Sequence, residues 1–149
     1  MLAAVGDLPY NIVYLIHIFS VILGVGMAFI APMFAVRARR TSGQALQEIV
    51  TDAASNVMLP MFIVAGLAGG ILVTLSGDFY DFRQAWLQVG GTVWIIVLIL
   101  TALVYPPSWL RLVNVGEDRK GMLGGLLHLS LAALLIIMTW KFGDTVGVG

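Results

Sequence analysis

The sequence predicts an all-α integral membrane protein, a four-helix up-down-up-down bundle, and three observations lead there. Four apolar stretches, residues 12–36, 57–75, 89–105 and 122–142, take up most of the 149 residues, and a hydrocarbon core of ~30 Å needs about 20 helical residues to cross it. Composition agrees. Hydrophobic residues make up 60% and charged ones 11%, with a mean hydropathy of +0.98, whereas a soluble domain carries nearer ~25% charge. The stretches are continuous instead of alternating, and a backbone in lipid must satisfy its own hydrogen bonds, so each reads as a helix and not as a barrel strand.

The first stretch starts about ten residues in and lacks a basic start or a small-residue cleavage pattern, which reads as a retained helix and not a signal peptide. Pro32 falls late in it and is expected to bend it. Next comes the segment 42–56, where Ala45, Leu46, Ile49, Val50, Ala53 and Val57 recur at helical spacing, opposite Gln44, Glu48 and Asp52. That pattern predicts a short amphipathic cytoplasmic helix feeding the second stretch. It suits the lipid headgroups, or the docking of a partner subunit. Pro60 should kink the junction. Gly77 to Arg83 make a short connection, Pro106 and Pro107 stop the third helix, and Gly116 to Gly121 make a charged one. Short connections imply antiparallel neighbours. The whole chain, 1–149, reads as a single membrane domain.

Basic residues set the orientation. Arg37, Arg39, Arg40, Arg111, Arg119 and Lys120 fall on the first and third connections, against Arg83 and Lys141 on the other side. The positive-inside rule then places those two connections in the cytoplasm and both termini outside. Tyr10, Tyr14, Trp86 and Trp140 would mark the outer headgroup level, and Tyr105 and Trp109 the inner one. Zero net charge gives no reason to expect nucleic acid as a partner. Without cysteine there is no disulfide, thiolate metal site or cysteine nucleophile.

Small residues let helices approach closely in lipid. Ser20, Gly24 and Ala28 recur at steps of four in the first helix, Gly66 and Gly70 in the second, and Gly121 and Gly125 in the fourth. They are the expected helix-packing positions, whether within the chain or against another.

Ionisable groups inside the stretches come down to His17 and His128, functional candidates because burying them is costly. The plain alternative is an imidazole that hydrogen-bonds a carbonyl or hydroxyl across a helix interface. The sharper one is haem b or copper, with His17 and His128 as cofactor ligands and His17 as the metal ligand, or with Met27, Met33, Met58 or Met61 contributing. Depth argues against a haem shared by both histidines: His17 falls outward of the middle of its helix and His128 inward of its own, a difference of roughly 13 Å. No cluster of carboxylates, phosphate-binding loop or serine–histidine–acid set occurs, so an enzyme is the least supported class.

The run Tyr14-Leu15-Ile16-His17-Ile18-Phe19-Ser20-Val21-Ile22-Leu23-Gly24-Val25-Gly26-Met27 resembles the opening of a group of small bacterial four-helix inner-membrane proteins of unknown function, and of the copper-resistance D domain. The similarity extends more loosely to Pro60, to Gly66 through Gly70 and to Trp94. Such relatives commonly carry a tryptophan before the glycine, where this chain has Gly24-Val25-Gly26. The resemblance implies an interest in His17 as a metal- or haem-facing residue. Together these features favour a non-catalytic accessory or assembly subunit of a larger membrane complex, plausibly a respiratory or other energy-converting one. No cofactor is expected on that reading, and its partners are the lipid bilayer and other membrane subunits or further copies of itself. A haem- or copper-handling protein is the first alternative, and a small transporter, which would need a polar cavity at mid-depth, is the second.

Overall fold

The computed structural model describes residues 7–40, 44–77, 79–110 and 116–141. Four helices follow in order, α1 Leu8–Arg40, α2 Gln44–Leu75, α3 Ala85–Val104 and α4 Glu117–Trp140. All four are long and apolar enough to cross a membrane, and they pack as antiparallel pairs, which makes this a multi-pass four-helix membrane bundle. The pairing is uneven. α1 lies along α2 and α3 along α4, while α2 touches α3 less and α1 barely meets α4.

Helix lengths explain part of this shape. α1 has 33 residues and α2 has 32, each close to ~50 Å at 1.5 Å per residue, far more than the ~30 Å of hydrocarbon. α3 has 20. Just beyond α3, the Ser108 hydroxyl donates to the Asn56 side-chain oxygen at 3.2 Å, so residues 44–55 of α2 run on past the end of α3. The amphipathic segment runs into the span as one helix. From Gln44 it is continuous with the span, and residues 42 and 43 lie outside the described residues. Its buried side is also rotated from the expected stripe. Ala54, Ser55 and Met58 are buried and Val50 partly so, while Leu46 and Ile49 are exposed.

The other boundaries differ modestly from the apolar runs. α1 starts at Leu8 and ends at Arg40, because helix geometry continues through flanking residues that hydropathy alone excludes. α4 starts at Glu117 and ends at Trp140, and Phe142 lies outside the described residues. Gly77, φ +65°, takes the left-handed position that closes a helix just beyond its end.

The core comprises Ala28, Ala31, Ala54, Met58, Phe62, Val97, Leu100, Leu127 and Leu131. It draws on every helix. α1 and α2 contribute the small residues Ala28, Ala31 and Ala54, which permit close backbones, and α2 also contributes the large Met58 and Phe62. Buried hydroxyls fold back on their own helices, Ser20 to Ile16 O at 2.8 Å, Ser55 to Thr51 O at 2.8 Å and Thr101 to Val97 O at 2.7 Å. Each thereby satisfies a donor that lipid cannot.

Candidate functional site

The polar atoms inside the bundle form a repeated arrangement in which a ring N–H of one helix meets a backbone carbonyl of its neighbour. Trp94 of α3 donates from Nε1 to Phe62 O of α2 at 2.9 Å. Its indole fills the recess at Gly66, where a Cβ would come within 2.1 Å of Cε2 and Cζ2. One turn along α2, His17 of α1 places Nδ1 2.7 Å from Ala65 O, its ring over Gly69, where a Cβ would come within 3.3 Å of Cε1. α2 is thus gripped on two sides by ring donors.

The tautomer of His17 follows from this contact. A carbonyl oxygen only accepts, so Nδ1 is the donor and the neutral ring carries its lone pair on Nε2. No partner for Nε2 occurs among the described residues. A ring oriented through Nδ1 in this way presents its other nitrogen as a metal ligand would.

His128 is placed differently, with both ring nitrogens facing carbonyls. Nδ1 lies 2.6 Å from Gly124 O, one turn back on α4, and Nε2 lies 3.0 Å from Ala28 O of α1. Phe29 meets the ring edge-on, centroids 5.0 Å apart. Ala28 is buried completely, and its carbonyl is no ordinary helix carbonyl: the N–H that would bond it belongs to residue 32, which is Pro32. His128 fills that vacancy. Because it meets α1 at Ala28, about eleven residues beyond His17, the two histidines act at levels ~16 Å apart along the helix axis.

The remaining packing positions divide in two. Ser20 is buried, Ala28 is in the core, and a Cβ on Gly24 would come within 2.7 Å of the Phe62 ring. A Cβ on Gly70, Gly121 or Gly125 would meet nothing within 4 Å. Gly66 and Gly24 thus face neighbouring helices of this chain, while the other three face outward. Of the four methionines considered as ligands, Met58 is fully buried in the core and Met33 is 71% exposed. Among the described residues no group of three or more histidine, aspartate or glutamate side chains could hold a metal ion.

Sequence reasoning missed a cluster at the end of the bundle that carries the termini. Lys141 follows α4 in a left-handed conformation, φ 46°, a position glycine usually fills. Its ammonium donates to Tyr80 Oη at 2.5 Å and lies 4.6 Å from the Tyr80 ring centroid and 5.6 Å from that of Trp86. Trp86 is buried, and among the described residues its Nε1 has no hydrogen-bond partner. The cluster ties α4 to the α2–α3 connection. An open depression of about 340 Å³ beside it is lined by Val73, Thr74, Gly77, Tyr80, Asp81 and Phe82. It lies at the same end of the bundle, not at mid-depth.

Two signals would have found more. A tryptophan in mid-span needs an acceptor for its N–H, which points to Trp94. A proline in mid-helix frees the carbonyl four residues back, which points to Ala28. Comparison with protein-family models, with curated proteins and with solved structures finds no match. The functional reading therefore rests on the side chains of this chain alone.

Proposed function

We propose that this protein is a non-catalytic accessory or assembly subunit that packs against a larger membrane complex, plausibly a respiratory or other energy-converting one, in a bacterial inner membrane with both termini outside. The observation that carries this reading is the division of the glycines. Glycines that face neighbouring helices of the chain are filled by Phe62, Trp94 or His17, whereas Gly121 and Gly125, one turn apart on α4, have open space in front of them. A small-residue face that the chain does not use is suited to close approach by another transmembrane helix. The exposed Leu46 and Ile49 on the projecting part of α2 offer a second contact at the membrane surface.

The test is mild detergent extraction followed by size analysis of the tagged protein and of Gly121→Leu and Gly125→Leu. The expected result is a complex larger than one chain, which either substitution disrupts without changing the thermal stability of the bundle. A native protein that runs as one chain with nothing bound would overturn the reading.

The second reading, a haem b or copper-handling protein, is favoured by one observation: Nδ1 of His17 is held by Ala65 O, and Nε2 has no partner among the described residues. His128 fits such a role poorly, since both of its nitrogens are engaged. A ligand supplied by a partner chain would complete the site.

A further inference from the structure

We infer that the depression at the end of the bundle that carries the termini binds the headgroup of a zwitterionic phospholipid with a primary amine, its phosphate at Lys141 and Tyr80 and its ammonium at Asp81. The inference goes beyond the accessory reading and uses none of the residues that carry it.

Two opposite charges stand at this depression without meeting each other. Asp81 lines it and has no ion-pair partner among the described residues. Its Oδ1 accepts the Arg83 backbone N–H at 2.9 Å, which orients the carboxylate and leaves it acceptor sites to spare. Lys141 gives its ammonium to Tyr80 Oη at 2.5 Å and not to a carboxylate. An ammonium carries three donors, and a phenol that accepts one of them still has its own O–H to give. The pair therefore offers donors suited to a phosphate, and hydrogen bonds between charged groups are the strong ones. Tyr80 is held in place for this: Phe79 and Trp86 meet its ring edge-on, centroids 4.8 Å and 5.6 Å away, and its backbone N–H donates to Ser76 Oγ at 3.1 Å. A simple anion would be opposed by Asp81 and a simple cation by Lys141. A ligand that carries both signs a short carbon link apart matches the two together.

The surroundings favour a lipid as the source of that chemistry. α2 ends at Leu75 and α3 begins at Ala85, so the connection between them lies at headgroup level, where aromatic residues collect. Phe79 and Phe82 on it are 50% and 58% exposed, two large apolar rings beside the charged Asp81 and Arg83. Val73 and Phe82 form an apolar wall next to the polar Thr74, Tyr80 and Asp81. The volume is about 340 Å³, the space of about ten waters at ~30 Å³ each, which admits a phosphate and an amine while the acyl chains continue down the outside of the bundle. Free phosphoethanolamine carries the same two charges but has nothing to set against the apolar wall.

Native mass spectrometry of the full chain in mild detergent tests this, with phosphatidylethanolamine, phosphatidylglycerol or phosphatidylcholine added. Phosphatidylglycerol lacks the amine, and the choline nitrogen has no N–H to give Asp81. The expected result is that phosphatidylethanolamine is retained above both. Asp81→Asn is an exposed, isosteric change that keeps an oxygen for the Arg83 N–H, and circular dichroism confirms that the helices survive it. It should weaken retention of phosphatidylethanolamine about threefold to fivefold, the scale of a partly exposed ion pair. Lys141→Met should weaken all three lipids, because it meets the phosphate they share, and Arg83→Gln, on the same connection but outside the lining, should change none. Phosphatidylethanolamine held no better than the other two, or held undiminished by Asp81→Asn, would overturn the inference, as would an equal loss in Arg83→Gln. Titration calorimetry with free phosphoethanolamine separates the two sources. No measurable binding is expected, and binding as tight as that of the lipid would assign the depression to a soluble ligand and overturn the lipid site.

Discussion

Gly66 and Gly70 lie one turn apart on α2 and look alike in sequence, yet replacing each by alanine should have opposite effects. At Gly66 the new Cβ would lie 2.1 Å from Trp94 Cε2 and Cζ2 and 2.6 Å from Nε1. Carbon atoms rest at ~3.5–4.0 Å, so the indole must retreat by about 1.5 Å. That stretches its 2.9 Å bond to Phe62 O beyond hydrogen-bond range. The lost bond costs about 1 kcal/mol and overpacking another ~1–3 kcal/mol. Alanine recovers up to ~1 kcal/mol through its better helix propensity, which leaves Gly66→Ala destabilised by about 1–3 kcal/mol on these terms. At Gly70 nothing lies within 4 Å of the new Cβ, and only the propensity gain of up to ~1 kcal/mol applies. Denaturation in detergent, followed by tryptophan fluorescence, measures both. Equal shifts for the two variants would refute the reasoning. So would a Gly66→Ala penalty that persists undiminished in a Trp94→Leu background, since the two residues should couple strongly in a double-mutant cycle.

Three further outcomes are expected. Tags at either terminus should be reached from outside intact cells and a tag at Gly116 should not; labelling of both termini only after the membrane is opened would reverse the orientation. Lys141→Met removes both the bond to Tyr80 and the ammonium over the Tyr80 and Trp86 rings, and should cost about 1–2 kcal/mol in thermal stability. Lys141→Arg should retain part of it, and identical losses in the two would count against a role for the charge. In the accessory reading, the purified protein has no visible absorbance for His17→Ala to remove. A Soret band lost in His17→Ala but kept in His128→Gln would instead establish His17 as the haem ligand.

Much of the fold is legible in the sequence because lipid imposes a single strong rule: twenty or so apolar residues must form a helix that satisfies its own backbone. The four runs and their order follow from that rule. What hydropathy does not encode is rotation about each helix axis. The stripe Ala45, Leu46, Ile49 is apolar, yet Ala54 and Met58 are the residues buried, since in a membrane an apolar side can face lipid as readily as protein. Likewise the step of four that joins Gly66 to Gly70 is a true repeat in sequence, but the first faces Trp94 and the second faces nothing. Lys141 was legible only as a basic residue in a topology count. Its contact with Tyr80 depends on how the α2–α3 connection folds over the end of α4.

A principle of assembly accounts for which polar residues the bundle keeps. Apolar contact gives helices in lipid little reason to prefer one another over acyl chains, so specificity must come from shape and from donors that lipid cannot satisfy. Trp94, His17 and His128 each supply a ring nitrogen positioned against a carbonyl on a neighbouring helix, and for Trp94 and His17 a glycine opposite lets the ring come near enough. His128 differs in kind. Its target carbonyl is one that Pro32 leaves unbonded, and its second nitrogen is opposed by a second carbonyl. Removing Trp94 or His17 would leave a helical carbonyl with its ordinary N–H partner still in place, whereas removing His128 would leave the carbonyl of the fully buried Ala28 without that donor. The two proline-free contacts therefore hold α2 against its neighbours, and the proline-linked one joins α4 to α1.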